Sequence, residues 1–315
     1  MKYAISFAAV LAAGMMLAGG AVAQEKQSLA FVVNGASDFW KAAEAGVKKA
    51  QAENPDFDMS LKYPEQAAAA VQQRLLDDLV AAGTDAIMVS AIDPGTSTEA
   101  LNRIGSQIPL FTTDSDAPQS NRVAYIGSSN ELAGEQAGEA MVAALPAGGK
   151  CMGYVGLLGA DNAKERIAGF KKAIEGHNIE LVDVRGDDID FARAKKNVED
   201  TLVGNPEITC MVGFYSYNPP NIYAALKDAG RLGDITVVAF DDDPITIGAV
   251  KDGSFAAMVV QQPFEWAYQG MKLMAAYLKG DKSGVPADGL IIVPTKTITA
   301  EGVDQYVADL KAMAQ

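Results

Sequence analysis

Residues 75–91 read LLDDLVAAGTDAIMVSA, and residues 197–214 read NVEDTLVGNPEITCMVGF. Each is an amphipathic helical stretch, a short turn, and then a nearly unbroken apolar run rich in β-formers. A second pair repeats the likeness further on. PLFTTDSDA (109–117) and TVVAFDDDP (236–244) are each an apolar run that ends in acidic residues. Continuous apolar strands separated by helices signal parallel sheets covered on both faces. The duplication implies one α/β architecture used twice, with a boundary near residues 126–130.

The rest of the chain extends the pattern. The run LAFVV (29–33) precedes a helix over about 39–53, and MSLKYP (59–64) precedes one over about 68–82. Trp40, Ala43, Val47 and Ala50 form one stripe; Val71, Leu75, Leu79 and Ala82 form the next. Further helices are expected near 97–107, 164–175, 191–203 and 221–229. After Asp243 come a helix, FAAMVVQQP (255–263), a helix over 266–280, and LIIVPTK (290–296).

The first residues carry one cation, Lys2, then an apolar stretch and Ala21-Val22-Ala23. That is the form of a secretory signal cut before Gln24, and 1–23 is assigned to it. The stretch is too short for a comfortable membrane span. The remaining chain of about 290 residues is too large for one small core. The formal net charge is −14, and one more negative without Lys2. Such a chain repels nucleic acid and anionic membrane surfaces.

Two cysteines and one histidine, His177, are poor equipment for a metal site or a nucleophile–base pair. No cofactor and no metal is expected. The dinucleotide fingerprint, the phosphate loop and the serine-hydrolase elbow are all missing. FDDDP and GDDID lack the calcium-loop pattern. Cys151 and Cys210 begin strands that should be neighbours. Export permits a disulfide between them; the geometry of adjacent parallel strands weighs against it.

Ligands of parallel α/β sheets bind beyond the carboxyl ends of the strands. Those positions hold Asn34, Phe39 and Trp40; Asp114 and Ser115; Asn162, Lys164 and Arg166; Tyr215 and Asn218; Asp241; and Gln261. Carboxylates and amides pair with hydroxyls, and rings cover the C–H faces of a sugar. Each residue also has a plainer duty. Trp40 lies on the helix stripe, Ser37 or Asp38 suits a helix cap, and Lys164 and Arg166 suit solvated charges. Asp116, Asp242 and Asp243 are expected to be exposed.

At these residues the chain resembles the periplasmic sugar-binding proteins of ABC importers, of the ribose-binding type. The likeness is carried by VVNGASDFW (32–40), GTDAIMVSAIDP (83–94), IPLFTTDSDAP (108–118), YIGSSNELAGEQAGEAM (125–141), KERIAGFKKAI (164–174), ITVVAFDDDP (235–244) and FAAMVVQQP (255–263). It implies a fold of two doubly wound parallel-sheet domains joined by three hinge crossovers. One lobe would hold 24–126 plus 261–290, the other 127–260 plus 291–315. It further implies a periplasmic monomer that closes over a monosaccharide or sugar alcohol and delivers it to a permease in the inner membrane, without catalysis. A chemoreceptor is a further partner. Phe39 and Trp40 match the family's ring pair, Asp114 and Asp241 its hydroxyl-binding aspartates, and Gln261 and Asn34 its polar contacts. Ser115 and Lys164 stand where a ribose binder has arginines, which leaves the sugar open. The competing reading is an exported hydrolase using Asp114 and Asp241 as acid and base.

Overall fold

The computed structural model describes residues 26–313. The expected signal segment lies outside them. The first sheet is built by β1 (Gln27–Val32), β2 (Phe57–Lys62), β3 (Ala86–Val89), β4 (Leu110–Thr113) and β5 (Tyr125–Gly127). Between and after these strands come α1 (Trp40–Glu53), α2 (Ala69–Ala81), α3 (Pro94–Gly105) and α4 (Asn130–Ala144). The second sheet is built by β6 (Gly149–Val155), β7 (Ile179–Gly186), β8 (Cys210–Gly213), β9 (Thr236–Phe240) and β10 (Ala257–Val260). Its helices are α5 (Asp161–Ile174), α6 (Phe191–Gly204), α7 (Asn218–Asp228) and α8 (Pro244–Lys251). The chain ends with α9 (Pro263–Leu278), β11 (Leu290–Ile292), β12 (Lys296–Ile298) and α10 (Val303–Met313).

The sheets run β11-β5-β4-β3-β1-β2 and β12-β10-β9-β8-β6-β7. Within each, the first five strands of the lobe follow the order 2-1-3-4-5, so the duplication read from the sequence is real. Every pairing is parallel except β10 with β12. The chain passes between the sheets after β5, after β10 and after β11. The third passage falls beyond Ile292, later than the expected 290/291 division, because Ile291 and Ile292 still pair with Ile126 and Gly127.

Each sheet buries both faces. In the first lobe α1 and α9 cover one face, where Leu29, Phe31, Trp40, Val47 and Met271 pack together. On α1 the buried stripe is the expected one. On α2 it is rotated: Gln72 and Leu76 are buried, while Val71, Leu75 and Leu79 are only half-buried. Gln72 is tolerated there because its side chain brackets two strand ends. Its Nε2 donates to the carbonyls of Val33 and Ser90, and its Oε1 accepts from Ile92 N.

Cys151 and Cys210 are joined by a disulfide. This corrects the expectation that strand geometry would keep them apart. The register of β6 and β8 sets the two residues directly opposite each other, with Cα atoms 4.4 Å apart, inside the range a disulfide spans.

Proline fixes several helix starts close behind the strands. Asp93 caps α3 by accepting from Gly95 N, with Pro94 next. Asp243 does the same for α8 with Ile245 N and Pro244. Proline costs nothing at a first helical position, and its fixed φ suits the turn. α1 begins without a side-chain cap, so neither Ser37 nor Asp38 takes that duty.

Candidate functional site

In a 2-1-3-4-5 sheet the crevice opens where the strand order reverses, between the first and third strands. Here the loops after β1 and β3 face those after β6 and β8. Between them lies a cavity lined by Asn34, Ser37, Phe39, Trp40, Asp114, Asn162, Arg166, Ile189, Tyr215, Ser216, Tyr217, Asp241 and Gln261.

Asp114 and Asp241 hold equivalent places, one residue beyond β4 and one beyond β9. Both take left-handed backbone, with φ 56 and 62. Aspartate tolerates that region far better than larger or branched residues. Asp114 Oδ2 accepts from Ser90 Oγ at 2.7 Å and Asn34 Nδ2 at 3.2 Å. Its Oδ1 accepts from Asn162 Nδ2 at 3.0 Å and lies 3.6 Å from the Arg166 guanidinium. One carboxylate thus ties both lobes together. Asp241 accepts from the backbone and side-chain nitrogens of Gln261 at 3.0 to 3.1 Å. Burial pushes the Asp241 carboxyl up to about 7, with Arg166 opposing the rise. Burial likewise raises Asp114, against Arg166, Ser90 and Asn162.

Arg166 is the cation on the cavity wall. It donates to Asn130 Oδ1, the Phe214 carbonyl and Gln261 Oε1 at 2.6 to 2.9 Å. The guanidinium also sits 4.8 Å from the Phe240 ring centre. Behind the wall Asp187 is fully buried. It accepts from Tyr217 OH, Asn218 Nδ2 and Ile189 N. Burial raises it to about 6, against those three donors.

Most of the expected residues meet in this cavity: Asn34, Phe39, Trp40, Asp114, Asn162, Arg166, Tyr215, Asp241 and Gln261. Three do not line it. Lys164 is exposed, because two helical positions from Arg166 is nearly the opposite face of α5. Asn162 and Arg166 are four apart and share the inward face. Ser115 is buried but turns its Oγ to Asp161 N across the cleft. Asn218 is buried one layer out, where it bonds Asp187 and accepts from Tyr215 N.

The wall gains residues that the strand-end reading passed over. Ile189 and the supporting Asp187 follow β7, a strand whose carboxyl end was not considered. The same rule applied to GDDID would have found them. Asp116 is not exposed as expected: it is largely buried in a two-pronged pair with Arg122, at 2.6 and 2.7 Å. Asp242 and Asp243 are half-buried, the first accepting from Tyr306 OH.

Two sheet lobes that enclose a polar, ring-lined cavity define a clamp-type ligand-binding protein. The match to known proteins agrees. Residues 29–282 match the family described as periplasmic binding protein domain, and the chain belongs to that family. Among curated relatives, the ribose import binding protein of Salmonella typhimurium is 27% identical over 268 residues, covering 82% of this chain and 88% of the relative. That of Escherichia coli is 27% identical, covering 86% and 92%. Among solved structures, a solute-binding protein from Burkholderia graminis in complex with D-arabinose is 30% identical with a TM-score of 0.82, covering 89% of this chain and 97% of that one. A glucose-galactose binding protein from Geobacillus stearothermophilus is 28% identical, with a TM-score of 0.82 and coverage of 88% and 99%.

Proposed function

We propose that this protein is the solute-binding component of an ABC importer in the periplasm. It captures a monosaccharide or sugar alcohol between its lobes and presents the closed form to a membrane permease. The observation that carries this reading is the pair Asp114 and Asp241 in one buried cavity with Phe39, Trp40 and Arg166. Carboxylates order hydroxyls, rings cover C–H faces, and a dry cleft makes each unmatched group costly. Ligand binding drives closure by its higher affinity for the closed state.

Hydrolysis is the weaker reading. Asp114 is held by three side-chain donors and a guanidinium, so its oxygens are already engaged within the protein. Isothermal titration of the protein against pentoses, hexoses and polyols tests the proposal. Saturable binding of one class without turnover is expected; no binding across the panel overturns the carbohydrate assignment.

A further inference from the structure

We infer that the closed cleft carries a built-in opening spring, a seam of carboxylates from both lobes that resists closure until salt screens it or protons neutralise it. The seam lies outside the ligand cavity, and the inference rests on the fold alone.

The closed lobes meet where the turn after β4 faces the start of α5. The hydrogen bond from Asp161 N to Ser115 Oγ, 3.1 Å long, crosses from one lobe to the other. It sets Asp116, the residue after Ser115, beside the first turn of α5. Asp161 and Glu165 are four apart on that helix and share a face. Glu131, in the first turn of α4, faces Glu165 from the same lobe. Carboxylates from three elements and both lobes therefore converge on one lip.

The cations nearby are largely engaged. Arg122 is taken by Asp116 itself, at 2.6 and 2.7 Å. Lys172 spans Glu131 and Glu135. Arg166 serves the cavity wall. Lys164, exposed on α5, is the cation that faces Asp161. Tyr125 of β5 also faces Glu165, and burial keeps its hydroxyl protonated. Among the described residues no three acidic side chains are grouped to hold a metal ion.

Partial burial at the lip raises the Asp161 carboxyl, and Asp116 of the other lobe adds to the rise, with Lys164 opposing. Glu165 keeps one side in solvent, yet its carboxyl is pushed up to about 7. Partial burial contributes most, then Asp161, Asp116 and Glu131, with Arg166 opposing. Opening the cleft takes Asp116 away and rehydrates the lip, so both carboxyls return towards their usual range. Closure therefore takes up protons, and falling pH favours it.

Closure can be read without a ligand. A Cβ on Gly159 would lie 3.7 Å from Asp93 Cβ across the cleft, a separation that a disulfide spans. The protein carrying Asp93→Cys and Gly159→Cys thus traps its own closed form when treated with diamide, a neutral oxidant that takes up the two thiol hydrogens. Its trapping rate is expected to rise about 2- to 10-fold between about 20 mM and about 500 mM NaCl. Adding Asp161→Asn and Glu165→Gln should raise the low-salt rate by a similar factor and remove most of the salt response. The ratio of the two rates cancels the titration of the thiols, and it should be larger at about pH 8 than at about pH 6. Melting curves report folding; should the combined variant unfold, Glu165→Gln alone carries the same prediction at smaller size. Equal rates and equal salt responses in the two backgrounds overturn the seam. No cross-link in either background shows that these lips do not meet, and overturns it as well. Neither outcome touches the carbohydrate reading, which the titrations decide separately.

Discussion

Ser115 Oγ accepts the backbone N–H of Asp161 at 3.1 Å, and the two residues belong to opposite lobes. The residue before α5 is Ala160, which has no side-chain cap to offer. Ser115 therefore caps α5 from across the cleft, and only when the cleft is closed. A helix cap contributes about 0.5–2 kcal/mol, and here that energy favours closure. Ser115→Ala should weaken ligand binding by about 2- to 30-fold by lowering the closed fraction. Small-angle scattering should show the ligand-free variant more open. Unchanged affinity and unchanged scattering would remove Ser115 from the closing machinery.

Gly35 and Ile189 make a second contact between the lobes. A Cβ on Gly35 would lie 2.6 Å from Ile189 Cδ1 and 3.2 Å from Ala67 Cβ. Ile189 itself has φ 60, a rare backbone for a β-branched residue. The expected effect of Gly35→Ala is to hold the cleft ajar, lowering affinity about tenfold with little loss of melting temperature. In a double-mutant cycle, adding Ile189→Ala should cost less in the Gly35→Ala background than in the wild type. Strict additivity would show that the two residues do not meet during closure.

The fold was legible because its strands are apolar runs and its helices carry stripes. That is a local signal, and α1 shows it at its cleanest. The α2 stripe was misread because Gln72 looks polar, yet it is buried to satisfy three backbone groups. The site was legible wherever a strand ends in chemistry, as at Asp114 and Asp241. What sequence could not give is direction. Ser115 follows a left-handed residue that turns it away from the cavity. Lys164 needed the helical phase of α5 rather than its place in the motif. Asp187 directly follows β7 and was reachable by the strand-end rule, but its supporting place behind the wall was not.

The Cys151–Cys210 disulfide lies wholly within the second sheet, joining residues 59 apart in sequence. Cross-linking a loop of that length stabilises a fold by about 2–4 kcal/mol. Reduction under denaturing conditions, followed by refolding with the thiols blocked as small adducts, should lower the unfolding midpoint accordingly. Because neither cysteine lines the cavity, ligand affinity of the folded fraction should change little. Free thiols counted in the untreated protein would contradict the bond.

Phe39 and Trp40 divide their duties. Trp40 is buried at the start of α1, edge-on to Phe31 with ring centres 5.6 Å apart. Phe39 is half-buried on the cavity wall, against Trp40 and Trp266. Trp40→Ala should therefore cost about 3–5 kcal/mol in urea unfolding. Phe39→Ala should cost less stability and proportionally more ligand affinity. Matching losses of stability and affinity for Phe39→Ala would return it to the core.

The buried carboxylates set a pH dependence of unusual sign. In the unfolded chain an aspartate titrates near 3.9. In the fold, burial raises Asp241 to about 7 and Asp187 to about 6. Between those limits the folded protein binds more protons than the unfolded one, so stability falls as pH rises. The contribution is fully present below about pH 4 and is lost as pH passes through about 6 to 7. The melting temperature of the ligand-free protein should accordingly drop between pH 5 and pH 8. General repulsion among the surplus acidic side chains has the same sign. Asp241→Asn separates the two, since it leaves the surface unchanged and should flatten the upper part of the curve. A melting temperature that holds or climbs from pH 5 to pH 8 would mean that Asp241 and Asp187 are ionised in the fold at little cost.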